Sequence, residues 1–145
     1  LTENPDEAKK FLYMAAYATL GYGLPAAIGA AVAEREVPSV CVLGDGALMF
    51  SIQELATAVE QQLDLTIVCV DNGGYREIRE NEIDRGMTPV GVDLVQPDWA
   101  LLAQAFGGTG RTVTSANEVT GAVAGAIAEP GVSLIHIPLS IFDAA

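Results

Sequence analysis

Short apolar runs that end in glycine or a polar residue are the clearest pattern along the chain. They are rich in Val, Ile, Leu and Cys and too short for buried helices, which predicts strands of a buried parallel sheet at residues 39–43, 65–70 and 133–137. A shorter run at 111–113 is predicted as a fourth strand.

The segments between these runs have the composition and spacing of helices. Alanine dominates, or apolar residues recur every three or four positions, at residues 11–20, 26–35, 52–63, 98–106 and 115–128. Strands that alternate with helices predict an α/β fold, in which a parallel sheet carries helices on both faces. The stretch from Gly86 to Pro97 follows neither pattern and is predicted to be irregular.

Residues at the ends of the predicted helices support these assignments. Pro25 suits the first turn of a helix, and Asp98 is placed to cap the helix that follows it. Ser115 and Glu118 have the spacing of a capping box. Trp99 and Phe106 lie seven residues apart, so we expect both to face the core.

Composition and charge narrow the class of protein. The 145 residues, with 50% apolar and 18% charged, suit one folded domain spanning residues 1–145. A formal net charge of −12 argues against nucleic acid or an anionic membrane as a partner. No apolar run reaches the ~18 residues of a membrane span, and the start of the chain lacks the pattern of a signal peptide. We therefore expect a cytoplasmic protein in which Cys41 and Cys69 are buried free thiols.

Two polar residues, Asp45 and Asn72, each lie two positions after the last residue of one of the first two predicted strands. A right-handed crossover makes these strands parallel, so both side chains are expected at the carboxyl edge of the sheet, where open α/β folds bind ligands. A carboxylate, an amide oxygen and a backbone carbonyl from the following glycine turn suit Mg²⁺, which prefers oxygen ligands and shares them with phosphate and water. Gly46 lacks a side chain where phosphate must approach.

The motif Gly44-Asp45-Gly46, followed by the turn at Asn72, resembles the GDG…NN signature of thiamine-diphosphate enzymes. Residues 20–30, 53–58 and 72–75 are also similar to the acetolactate synthase and 2-oxo acid decarboxylase family. The resemblance covers nearly the whole chain and implies the thiamine-diphosphate-binding fold. It also implies that the chain is the C-terminal cofactor-binding domain of a longer enzyme, one that cleaves or forms carbon–carbon bonds next to the carbonyl of 2-oxo acids.

The resemblance implies specific roles around the diphosphate. Asp45 and Asn72 would hold Mg²⁺ by their side chains, and Gly74 would hold it by its backbone carbonyl. The diphosphate would lie against the first motif and the second turn, with backbone amides contributed around Gly46, Ala47 and Tyr75.

The resemblance also implies what surrounds the reactive end of the cofactor. Leu20 would be the hydrophobic wedge that bends the cofactor into a V shape, and the carbonyl of Ala18 would accept from the amine of the pyrimidine. The activating glutamate of the family lies in a pyrimidine-binding domain supplied by the second subunit of a homodimer or homotetramer. We therefore expect this chain alone to be catalytically incomplete.

Three departures from the family pattern concern the second turn. Asp71 stands where the family has the first Asn of its pair, which adds a negative charge near the diphosphate. Ile78 stands where pyruvate decarboxylases carry a catalytic glutamate, and it is expected to contact the substrate. Glu77 precedes it, within a stretch similar to decarboxylases of guanidino-type 2-oxo acids. We predict that Glu77 is a buried or half-buried charge that pairs with a basic substrate; the alternative is a solvated helix carboxylate.

Other interpretations stay open from the sequence. Gly21, Gly23 and Ala26 form a GxGxxA pattern typical of NAD-binding Rossmann domains, although the apolar segment before it is predicted to be a helix rather than the required strand. A non-catalytic thiamine-diphosphate-binding module is a further alternative. His136, within an apolar strand, is predicted to be a hydrogen-bonded core residue rather than a catalytic one.

Overall fold

The sheet is four-stranded and parallel throughout. The computed structural model describes residues 11–14 and 17–143, and its strands are β1 (Ser39–Gly44), β2 (Leu65–Asp71), β3 (Thr109–Thr112) and β4 (Val132–Pro138). Their order in the sheet is β1-β2-β4-β3. All four predicted strands are confirmed; β1 extends one residue further, to Gly44, and β3 begins earlier than predicted.

Helices connect the strands. They are α1 (Gly23–Ala33), α2 (Asp45–Met49), α3 (Leu55–Glu60), α4 (Arg76–Asp84), α5 (Trp99–Ala105) and α6 (Val119–Ala128). Short 3₁₀ turns occur at Ile52–Glu54, Ala116–Glu118 and Leu139–Phe142. The predicted α5 is confirmed, since the Asp98 carboxylate accepts from the Leu101 amide at 2.9 Å.

Both faces of the sheet are covered, as predicted. Because neighbouring residues of a strand point to opposite faces, Ile67 and Cys69 of β2 pack with α1, α3 and α5, whereas Val68 packs with α6. Trp99 is fully buried in the core on the face of the sheet that α1, α3 and α5 cover, and Phe106 packs against that core. Cys41 and Cys69 are buried free thiols, and burial raises the pKa of Cys41 to about 11. In the described part of the chain, no helix has the length and apolar character that crossing a bilayer requires.

Two predicted local features are wrong, and one predicted helix is shorter than expected. The helix predicted at 52–63 is present but shorter: the 3₁₀ turn at Ile52–Glu54 leads directly into α3, which ends at Glu60, and Gln62 has a positive φ of 51°. The non-helical Ser51 separates it from α2, which begins at Asp45. Described residues within 11–20 are not helical; Ala18 and Gly21 have positive φ values, 43° and 83°, which a helix cannot accommodate. Residues 15 and 16 lie outside the described residues.

The second wrong prediction is the capping box. The Ser115 hydroxyl donates to the Glu118 carboxylate at 3.1 Å instead of capping a backbone amide. Thr114 donates to the same carboxylate at 2.9 Å, and Arg111 pairs with it. These contacts, and the hydrogen bond to Thr114 first among them, lower the pKa of Glu118. The 3₁₀ turn lets the Ser115 carbonyl, rather than its side chain, accept from the Glu118 amide.

Candidate functional site

The carboxyl ends of β1 and β2 bring Asp45 and Asn72 together. Gly44 lies beside Val70 in the strand register, so the two chain segments leave the sheet side by side. The backbone N–H of Asn72 donates to Asp45 Oδ1 at 3.3 Å. The local geometry expected from the crossover is therefore present.

The Asp45 carboxylate is almost fully buried, with 1% of the residue exposed. Its second oxygen, Oδ2, accepts from Gln96 Nε2 at 2.7 Å. Burial raises the pKa of Asp45, and the negative charge of Asp71 raises it further, while the hydrogen bond from Asn72 acts in the opposite direction. A buried carboxylate that has hydrogen bonds but no ion-pair partner in the described part of the chain is a natural place for a cation.

Close packing at the second turn explains why glycine is needed at two positions. A Cβ on Gly46 would lie 2.9 Å from the Tyr75 ring and 3.3 Å from the Gly74 carbonyl oxygen, so the two turns touch. Gly74 itself has a φ of +136°, and a Cβ there would collide with the Val92 carbonyl. The Gly74 carbonyl is thus held at the motif that contains Asp45.

One predicted donor is already occupied. The Tyr75 amide, expected to hold diphosphate, donates instead to the Val92 carbonyl at 2.8 Å. The Leu94 amide in turn donates to the Gly73 carbonyl at 3.0 Å, so the irregular loop is tied to the turn at both points. The contribution of Tyr75 visible here is its ring, which packs edge-on to Phe50 with 6.2 Å between centroids.

Asp71, the departure from the family pair, has its own partners. Its Oδ1 accepts from the Gly73 amide at 2.8 Å, and its Oδ2 lies 2.9 Å from His136 Nε2. An ionised carboxylate only accepts, so Nε2 carries the hydrogen in this contact. His136 Nδ1 lies 3.1 Å from the Thr112 hydroxyl. The prediction of a hydrogen-bonded histidine is confirmed, with 12% of its side chain exposed, and the Asp71 carboxylate is held by Gly73 and His136 while its charge still acts on Asp45.

The residues expected around the reactive end of the cofactor are not part of the core. Leu20 is 41% exposed, which distinguishes it from the buried leucines of α1 and β2. Ala18 has a φ of 43°, an uncommon conformation for a residue other than glycine that tends to occur at functional positions.

The environment predicted for Glu77 is wrong. Glu77 is exposed, not buried or half-buried. The helix that carries it, α4, has no buried residue and so packs little of its surface against the rest of the domain. Ile78 is 50% exposed. The neighbouring arginines already have partners, Arg76 with Glu80 and Arg79 with Asp93, so neither pairs with Glu77.

Gln96 is a site residue that the sequence did not reveal. It lies in the irregular stretch between α4 and α5, 51 residues from Asp45 in the chain. Neither periodicity nor a motif marks it, and only the contact with Asp45 identifies it.

The available ligands are hard oxygen donors. Among the described residues, no group of three or more His, Cys, Asp or Glu side chains could hold a metal ion. One buried carboxylate, one amide and one backbone carbonyl suit Mg²⁺, which takes few carboxylates and leaves positions for phosphate and water, and they do not suit Zn²⁺.

A comparison with protein-family models decides the family. Residues 3–137 match the model described as "Thiamine pyrophosphate enzyme, C-terminal TPP binding domain". The chain belongs to this family. The alternative of an NAD-binding Rossmann domain is thereby excluded. The GxGxxA pattern spans the turn before α1 and the first turns of that helix, and no strand precedes it among the described residues.

Curated relatives of this thiamine-diphosphate domain include both decarboxylases and synthases. It is 36% identical over 131 residues to the Pseudomonas aeruginosa protein named "Probable 2-ketoarginine decarboxylase AruI", covering 89% of this chain and 23% of that protein. It is 34% identical over 135 residues to the acetolactate synthase isozyme 2 large subunit of Escherichia coli, covering 90% of this chain and 24% of that protein. The domain thus spans about a quarter of the length of these relatives.

Solved structures of similar fold include two decarboxylases, one of which is named as thiamine-diphosphate-dependent. Benzoylformate decarboxylase from Polynucleobacter necessarius matches with a TM-score of 0.77 and 30% identity, over 84% of this chain and 24% of that one. The 4-hydroxybenzoylformate decarboxylase of Rhodococcus jostii matches with a TM-score of 0.75 and 32% identity, over 82% and 23%. The predicted fold class is confirmed.

Proposed function

We propose that this domain binds thiamine diphosphate through Mg²⁺, as the C-terminal part of a longer enzyme acting on 2-oxo acids. The observation that supports this most directly is the buried Asp45 carboxylate beside the Asn72 turn. Asp45 and Asn72 would hold the cation by their side chains and Gly74 by its carbonyl. The diphosphate would lie against the backbone at Gly44, Gly46 and Ala47.

The chemistry requires a cofactor, and the residues here orient it. When bound, thiamine diphosphate supplies the nucleophilic carbon and the electron sink for bond cleavage or formation next to the carbonyl of a 2-oxo acid. Leu20, exposed at the edge of the domain, would bend the cofactor, and the Ala18 carbonyl would accept from its pyrimidine amine. Ile78 would exclude water from the substrate carboxylate, which favours its loss.

The proposed enzyme needs a second chain segment. We propose that the activating glutamate comes from a pyrimidine-binding domain of another subunit, in a homodimer or homotetramer located in the cytoplasm. The alternative is a domain that binds the cofactor without catalysis. The two differ when the partner domain is added, because only the first then converts 2-oxo acids.

We expect metal-dependent cofactor binding. Thiamine diphosphate added with Mg²⁺ should shift the amide NMR signals of Gly46, Asn72 and Gly73, whereas the same titration with EDTA should leave them unchanged. NMR titration is chosen because it detects weak binding, and weak binding is expected from a chain that holds only half of the proposed cofactor site. Equal shifts with and without metal would contradict the assigned ligands, and no shift at all would contradict cofactor binding.

The chain alone should decarboxylate no 2-oxo acid; cofactor-dependent turnover would show that the activating group is internal.

A preference for 2-oxo acids with basic side chains is a second proposal. It is favoured by the similarity to the protein named as a 2-ketoarginine decarboxylase and by the exposed Glu77 carboxylate, which has no side-chain partner among the described residues. A guanidinium can pair with a carboxylate through two parallel hydrogen bonds.

Glu77→Gln in the enzyme that contains this chain should reduce kcat/KM for 2-oxo acids with guanidinium or ammonium side chains about tenfold and leave neutral 2-oxo acids unchanged, because one charge-assisted pair is lost. Glu129→Gln removes an exposed charge elsewhere and should change neither. An unchanged ratio of basic to neutral substrates in Glu77→Gln would make Glu77 a surface residue.

A further inference from the structure

Gln96 stands out because its side-chain amide is only half satisfied. Its Nε2 donates to Asp45 Oδ2 at 2.7 Å, while its Oε1 is buried and has no hydrogen-bond partner among the described residues. Rotating the amide would not help, because Oε1 would then face a carboxylate oxygen that cannot donate. A buried acceptor without a donor costs about 1–3 kcal/mol, so a donor is expected when the site is in use.

The backbone brings Gln96 to Asp45. The Val92 carbonyl accepts from Tyr75 and the Leu94 amide donates to Gly73, which lays the loop along the second turn. Asp98 then caps the start of α5 two residues later. Gln96 is therefore held between two fixed points, and its reach to Asp45 does not depend on a free loop.

The two Asp45 oxygens are oriented by different segments. Asn72, from the end of β2, holds Oδ1, and Gln96 holds Oδ2. Each oxygen of a carboxylate has two lone pairs, so these hydrogen bonds leave one on each for a cation. Side chains that hold a metal ligand in this way tune the affinity of the site, and their loss typically reduces it 10–100-fold.

We propose that Gln96 is a positioning residue of the magnesium site. Its Nε2 orients the Asp45 carboxylate, and its Oε1 accepts from water that hydrated Mg²⁺ brings into the site, since this ion dehydrates reluctantly. The inference rests on the proposed function. It assigns to Gln96 a role in selecting Mg²⁺ over cations that tolerate irregular coordination, such as Ca²⁺.

The test compares two metals in one variant. Gln96→Met keeps the length of the side chain but removes both hydrogen-bonding atoms. In NMR titrations of the chain with thiamine diphosphate, the Mg²⁺ concentration needed for half-maximal binding should rise about 10–100-fold. The Ca²⁺ concentration should rise far less, because Ca²⁺ accepts more ligands in flexible geometry. Gln104→Met, at an exposed position of α5, is the matched control and should behave as wild type.

Other outcomes would overturn the inference. Equal weakening for both metals would make Gln96 only an anchor of the loop, and unchanged or tighter Mg²⁺ binding would make it irrelevant to the site or a competitor for Asp45. If Gln96→Met does not fold, Gln96→Asn, which is one methylene shorter and cannot reach Asp45 in the same way, takes its place with the same expectations. Absence of metal-dependent binding in the wild-type chain would instead contradict the proposed function itself.

Discussion

Asp45→Asn should reduce the affinity for Mg²⁺ with thiamine diphosphate about 100-fold or more, because it removes the only carboxylate assigned to the cation. The change is nearly isosteric. The backbone N–H of Asn72 keeps an acceptor, and Gln96 can reverse its side-chain amide so that Oε1 accepts from the new side chain. Alanine would instead leave both donors without a partner, so asparagine separates loss of charge from loss of packing.

The same variant should be at least as stable as wild type near neutral pH without metal. Burial raises the pKa of Asp45, so the folded state holds the proton more tightly than the unfolded state. The resulting stabilisation is fully present below the unfolded pKa and is lost as pH rises through the folded pKa, leaving an ionised carboxylate that opposes folding. Asp45→Asn should lack this contribution to the pH dependence.

Urea unfolding from acidic to neutral pH, together with metal titration, tests both expectations. Asp84→Asn, the same change at the exposed end of α4, should alter neither cofactor affinity nor the pH profile. Retained Mg²⁺-dependent binding in Asp45→Asn would refute the metal assignment. A large loss of stability at neutral pH would show that the ionised carboxylate is a structural element.

Gly74→Ala should destabilise the domain by about 4 kcal/mol and abolish cofactor binding. The φ of +136° is nearly restricted to glycine, and the added Cβ would strike the Val92 carbonyl and lie 3.0 Å from the Leu94 amide. The loop would have to move away from the turn, and the contacts that hold the Gly74 carbonyl near Gly46 would go with it.

Gly73→Ala provides a matched control beside it. Gly73 also has a positive φ, +90°, but a Cβ there meets nothing within 4 Å, so only the backbone strain of about 1–2 kcal/mol should appear. Thermal and urea unfolding of the two variants would measure the difference. Equal losses would mean that the collision with the loop is relieved at no cost and that the loop does not hold the turn.

The chain sequence by itself determined the sheet and the pairing of its two motifs. Short apolar strands separated by helices predict a parallel sheet with right-handed crossovers, and the carboxyl ends of parallel strands, which Asp45 and Asn72 follow, lie at the same edge. The Asp98 cap was predictable for a similar reason, because its partner lies three residues away. Such features depend on local spacing, which the sequence states directly.

Tertiary structure alone decided the contacts between segments that are distant in the chain. Gln96 reaches Asp45 across 51 residues, and His136 reaches Asp71 across 65. No periodicity or motif in the sequence marks either contact, because each depends on how an irregular loop or a neighbouring strand lies in space. The hydrogen bond of the Tyr75 backbone amide could not be predicted for the same reason, since its acceptor, Val92, comes from that loop. Burial of Glu77 was also mispredicted, because exposure depends on how closely α4 packs on the domain, and helical spacing does not specify that distance.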